Sequence, residues 1–279
     1  MKKDQAIRIA GRVLAQVRGP YYQGVAAELS FFFLLSMVPL SFLLAELLGV
    51  FSISSNLITE FVYEYVSADI AAAITSYVYH DSSGTLNLVL LVISIWSASQ
   101  AQYAMIRITN YTFTEAPNGN GFLKERIRAM GSVVITIALL VFSLVILVYG
   151  EQLIRIVGLY AELVLLFPFQ FSQVWYIARW PIGIAFFFFT ISLIFYLLPT
   201  VRIPYKKLIP GSLFTSAGMM VVTFVYSIAA ARFLDYNVLY GSLGTVVGLM
   251  VWFYLLGSVF VIGIVINASL YHSEAPALK

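Results

Sequence analysis

The chain has no cysteine, and that absence removes disulfides, thiolate metal sites and cysteine nucleophiles together. Histidine is nearly missing too. His80 and His272 are the two present, neither in a HExxH or HxH context, so no metal site and no cofactor are expected. Charge is scarce: charged residues make up 10% of the chain against 61% hydrophobic, and the mean hydropathy is +0.92. A water-facing surface of ordinary polarity cannot be built from that mixture. No phosphate-binding loop is present, and no Ser-His-Asp set gathers on one side of the chain, so enzyme chemistry has little footing. A metal-dependent nuclease needs clustered acidic ligands. On the basic side of the chain only Asp4, Glu115, Glu125 and Glu274 occur, scattered.

What the chain does have is long apolar runs, at about 25–50, 85–107, 129–149, 180–199, 210–231 and 242–270. Each is long enough, or nearly so, to cross about 30 Å of hydrocarbon at 1.5 Å per residue. The connections alternate in basic content. Lys2, Lys3, Arg8, Arg12, Arg18, Arg107, Lys124, Arg126, Arg128, Arg202, Lys206, Lys207 and Lys279 fall on one side, which is 13 of the 16 Lys and Arg. Arg155, Arg179 and Arg232 fall on the other. Lys and Arg near span ends stay cytoplasmic, so the pattern predicts an all-α polytopic membrane protein with six transmembrane helices and both termini in the cytoplasm. The net charge of +3 then reads as orientation and attraction to anionic inner-leaflet lipid. Membrane lipids, including anionic headgroups, are the expected partners, and nucleic acid is not.

Three regions follow: an amphipathic interfacial helix over 1–24, a six-helix membrane domain over 25–270 and a cytoplasmic tail over 271–279. In the first, Ile7, Ala10, Leu14 and Val17 recur at helical spacing with Arg8 and Arg12 on the flank, and Gly19-Pro20 ends the pattern. The first apolar run is too long for a cleavable signal core. Two further amphipathic helices are expected outside, at about 57–66 and 68–79. Another stripe, Leu153, Ile156, Val157 and Tyr160, lies in the third-to-fourth connection before a turn at Phe167-Pro168-Phe169.

Polar residues inside spans cost energy and need a reason. Glu28, Arg107 and Asn267 all fall near the cytoplasmic ends of their spans, with Gln100, Gln102 and Asn110 close by on the second. One reading is a polar cluster that opens to the cytoplasm and binds substrate through Glu28, Ser36, Pro39, Gln100, Arg107, Asn110 and Asn267. The other is that Arg107 snorkels to headgroups and Glu28 bonds a neighbouring helix. Glu28 and Arg107 are the expected pair, supported by Asn110 or Asn267. Pro39 is central in the first span, where a missing donor should kink or break the helix. Gly244-x-x-x-Gly248 opens the last span with Gly257 and Gly263 beyond, a spacing that serves helix packing within the protomer or dimerisation.

The stretch from Ala26 to Leu40, AAELSFFFLLSMVPL, resembles the first-span signature of the YihY/BrkB family of bacterial inner-membrane proteins. Similar segments follow in order: Trp96-Ser97-Ala98-Ser99, Arg107-Ile108-Thr109-Asn110-Tyr111, Tyr196-Leu197-Leu198-Pro199, Arg202-Ile203-Pro204, Pro210-Gly211, Tyr240-Gly241-Ser242-Leu243-Gly244 and Asn267-Ala268. Many relatives carry Gly-Ala-Glu before the final Asn-Ala, and here Val265 stands at the Glu position. The resemblance implies six spans in the bacterial cytoplasmic membrane and a part in moving envelope components, lipids among them. The label of ribonuclease that the family also carries conflicts with the residue inventory, so no enzyme is expected. A transporter or lipid-translocase-like protein is the leading expectation. The alternative is a non-transporting scaffold or assembly factor.

Overall fold

Proline and glycine mark where the helices begin. Pro20 opens the first helix, at a position whose N–H needs no helical partner, and Pro210 is the second residue of the fifth. Gly121 adopts φ +88 just before the third, a conformation that costs glycine little. Its carbonyl accepts the Glu125 N–H at 3.1 Å.

The structure, a computed structural model, describes residues 11–50, 84–114, 121–165, 171–232 and 243–274. Six long helices run through them: α1 (Pro20–Val50), α2 (Gly84–Thr114), α3 (Phe122–Leu165), α4 (Phe171–Leu197), α5 (Ile209–Arg232) and α6 (Gly244–Glu274). Residues 11–17 are helical before a break at Arg18-Gly19, and a 3-10 turn over Tyr205–Lys207 leads into α5. No strand occurs among the described residues. The outer helices expected at 57–66 and 68–79, the turn at Phe167-Pro168-Phe169 and the part of the first amphipathic helix before Gly11 lie outside the described residues.

Four stretches are apolar and long enough to cross a membrane: Phe122–Ser143, Tyr176–Leu197, Ile209–Ala230 and Val246–Ser273. Large apolar side chains stay uncovered along them, including Trp180, Leu213, Val221, Phe224 and Val225. A water-soluble monomer would not carry so much apolar surface, whereas lipid covers it without cost. The chain is an all-α, multi-pass membrane protein.

Three helix boundaries differ from the expectation. α1 begins at Pro20, five residues before the apolar run, so Tyr21 and Tyr22 belong to its first turn. α1 also continues unbroken through Pro39, which therefore does not interrupt it. α3 begins at Phe122 and runs 44 residues to Leu165, about 66 Å at the usual rise. The stripe at Leu153–Tyr160 is thus part of α3 and not a separate helix; no proline occurs there to stop it.

Sequence neighbours pack side by side, α1 on α2, α2 on α3, α3 on α4, α4 on α5 and α5 on α6, and α6 closes on α1. The helices alternate in direction, because the starts of α1, α3 and α5 meet the ends of α2, α4 and α6. At this common end lies an apolar core. Leu29, Ile106, Ile108, Phe195, Leu198, Phe260 and Ile264 are fully buried there, and the Phe195 and Phe260 rings lie 5.0 Å apart.

Candidate functional site

The same end gathers the polar side chains. Glu28 stands in the third turn of α1 and Arg107 near the end of α2, on facing sides of two packed helices. One guanidinium nitrogen, Nη2, reaches both Glu28 oxygens, so the expected pair forms. Each charge lowers the other's desolvation cost. The pair is not sealed: the Arg107 side chain is 42% exposed and that of Glu28 29%. Beside it the Tyr21 and Tyr111 rings meet at 4.4 Å and Tyr22 stands edge-on to Tyr21. Burial pushes the Tyr21 phenol up from its usual range, with Arg107 opposing, so this hydroxyl stays protonated at neutral pH. Tyr21 precedes the apolar run, at the depth where tyrosine suits a membrane interface.

Neither Asn110 nor Asn267 supports that pair, which corrects the expectation. Asn110 is fully buried and faces α3 and the exit of α4 instead. Its Nδ2 donates to Glu125 Oε1 at 3.1 Å, and its Oδ1 accepts from the Thr200 N–H at 2.8 Å and the Thr200 hydroxyl at 2.7 Å. Arg128 grips the same turn, with Nε donating to the Leu197 carbonyl at 3.0 Å and Nη2 to that of Pro199 at 2.6 Å. The carbonyls that α4 leaves unpaired at its end are thus capped by α3. His272 ties α6 to α2 in a similar way, Nε2 donating to the Phe113 carbonyl at 3.1 Å.

Asn267 belongs to a second polar spot, where α5 crosses α6. Its Oδ1 accepts the Gly211 N–H at 2.8 Å, near the start of α5 where that N–H has no helical partner. The backbones approach so closely that a Cβ on Gly211 would collide with Asn267 and the Gly263 carbonyl. One on Gly263 would collide with Thr215 Oγ1. Gly218 lies against Val259, and Gly257 against the Ala26 carbonyl of α1. Gly244 and Gly248 are buried as well, and the Gly248 carbonyl accepts the Tyr226 hydroxyl at 2.7 Å.

The remaining candidate residues separate. Ser36 is buried and bonds the Phe33 carbonyl of its own helix at 3.0 Å, and Pro39 follows it in α1. Gln100 points to α3, where its Oε1 accepts from Arg126 Nη1 at 2.9 Å; Gln102 meets Thr136 and Ser132. The structure therefore brings together Glu28 and Arg107, and places Gln100, Asn110 and Asn267 on other helix seams. Val265 is fully buried in α6. Arg126 and Arg128 read in the sequence as orientation charges and Glu125 as a scattered acidic residue, yet all three are used inside the bundle. Gly121 before Phe122, with Glu125 in the first turn, is the start signal that would have placed them on α3. Among the described residues no group of three His, Asp or Glu side chains is arranged to hold a metal ion.

The family described as Virulence factor BrkB matches residues 14–279 of the chain. The chain is 25% identical over 252 residues to the ribonuclease-like protein YfkH of Bacillus subtilis (strain 168), a match that spans 89% of this chain and 90% of the relative. No solved structure matches it.

Proposed function

This chain belongs to the BrkB family, and on that premise we propose that it moves an amphipathic or anionic envelope component across the bacterial cytoplasmic membrane. The observation that carries this reading is the Glu28–Arg107 pair, a polar contact at the bundle end that remains partly open. Arg107 is suited to an anionic headgroup, since a guanidinium offers several donors in one plane, and Glu28 holds it in place when no substrate is bound. In this reading all six helices span, with both termini in the cytoplasm, as the distribution of Lys and Arg supports.

Two experiments test it. Vesicles reconstituted with the protein should move labelled anionic lipid between leaflets faster than empty vesicles. Equal rates for neutral, anionic and polyprenyl lipids with and without protein would remove the transport reading. The chain has no cysteine of its own, so introduced thiols report topology cleanly. A cysteine at Ser82 should be labelled from outside and one at Asn118 only from inside.

A scaffold or assembly factor is the second reading, and the α5–α6 crossing favours it: a seam with no room for a Cβ is built for rigidity. Ribonuclease activity is not part of either reading. Purified protein should degrade RNA no faster than a mock preparation with magnesium or zinc added.

A further inference from the structure

Arg126 lies one turn into α3 and is only 3% exposed. Nη1 donates to Gln100 Oε1 at 2.9 Å and Nη2 to the Trp96 carbonyl at 2.8 Å. The guanidinium carbon sits 4.0 Å from the centre of the Trp96 ring and 5.8 Å from that of Tyr103. Every one of these neighbours is neutral. Nε has no hydrogen-bond partner among the described residues. Glu125, next in sequence, is engaged on the other side by Asn110. A guanidinium has five N–H donors, so most of its capacity is unspent.

The neighbouring arginines are treated differently. Arg107 has a carboxylate, and Arg128 lies against a helix end whose carbonyls carry partial negative charge. Ring faces and two neutral acceptors repay a buried cation only in part, and an anion would complete the set. The surroundings indicate which anion. Trp96 covers the guanidinium and is itself 47% exposed, at the seam between α2 and α3. Val92 and Ile93 on α2, and Phe122, Leu123 and Ile127 on α3, are exposed and apolar close by. A cation beneath an aromatic cover, flanked by apolar helix surface, suits a charged headgroup whose acyl chains lie along the protein.

We propose that the α2–α3 seam is a binding site for a phosphate oxyanion, held by Arg126 and covered by Trp96, and that an anionic lipid headgroup supplies it. Trp96 swings from the guanidinium as the phosphate takes the free N–H groups. The site is separate from the Glu28–Arg107 pair and does not depend on transport, since a scaffold can hold a resident lipid equally well.

The chain has four tryptophans, so replacing Trp175, Trp180 and Trp252 by Phe leaves Trp96 as the reporter in the full-length protein. Phosphatidylglycerol, phosphatidylcholine and inorganic phosphate are each titrated into the detergent-solubilised protein. Trp96 emission and the melting temperature are followed together. Phosphatidylglycerol should change the emission saturably and raise the melting temperature, with no response to phosphatidylcholine. A matching, Arg126-dependent response to inorganic phosphate alone would keep the oxyanion site but overturn the lipid as its source. Arg126→Gln should weaken the phosphatidylglycerol response at least about tenfold, the cost of losing a charge-assisted contact, whereas Gly183→Ala, which meets open space in α4, should leave it unchanged. A purely structural Arg126 would lower the starting melting temperature and leave the lipid response intact, and that result overturns the proposal. Where Arg126→Gln does not purify, Arg126→Lys keeps the charge without the planar fork and must still weaken the response. Equal responses to the two lipids also overturn it.

Discussion

Two seams at the same end of the bundle handle polar groups in opposite ways. Where α5 crosses α6, glycine backbones close the gap, and one amide, Asn267, spends its oxygen on a single N–H of Gly211. Where α1 meets α2, full charges are kept, paired and left partly open. The first arrangement gains packing from surfaces that approach within backbone distance. The second keeps a partly exposed guanidinium at the bundle end, on a seam that is itself extensively packed. A seam made only for cohesion has no need of the second solution, and the proposed function takes ligand contact to be the use of the α1–α2 pair.

The contrast is broken most forcefully at Gly263. Gly263→Val places a branched side chain onto Thr215 and Phe195, and should cost about 3 kcal/mol or prevent purification, as read by thermal melting. Asn110→Leu comes next. It frees Glu125 and releases the Thr200 turn, and should cost about 2 kcal/mol, because buried polar groups lose their partners. The ionic seam should respond less. Glu28→Gln and Arg107→Gln should each cost about 1 kcal/mol, with the double variant losing less than the sum in a double-mutant cycle. Additive, near-zero effects would mean that the two residues do not interact. Smallest of all, Gly183→Ala meets open space in α4 and should gain a few tenths of a kcal/mol or change nothing. A loss there as large as that at Gly263 would mean that the two glycines do not differ as described.

Position along each helix was legible in the sequence, and rotation about its axis was not. Run lengths and the placement of Lys and Arg put Glu28 and Arg107 near the same end, and the two meet. Asn110 and Asn267 were placed at similar depth, yet they serve other seams. In a water-soluble helix the apolar stripe reveals which way a side chain faces. In lipid, both the core-facing and the lipid-facing sides are apolar, so that signal is erased. For the same reason the close approach of Gly211 and Gly263, which lie in separate helices, leaves no signal in either helix alone. Arg126 and Arg128 were read as loop charges because charge hid the helix start at Phe122. Pro39 failed to break α1, since a proline within a long helix removes one bond and leaves the remainder intact.

The most direct test of ligand contact at the ionic seam compares lipid movement in vesicles holding the unmodified protein, Arg107→Gln or Gly183→Ala. The account predicts that the unmodified protein and Gly183→Ala accelerate transfer of a labelled anionic lipid alike. Arg107→Gln should lose at least about tenfold of that acceleration while still melting as a folded protein. Transfer by Arg107→Gln at the unmodified rate, or no acceleration by any of the three, would contradict it.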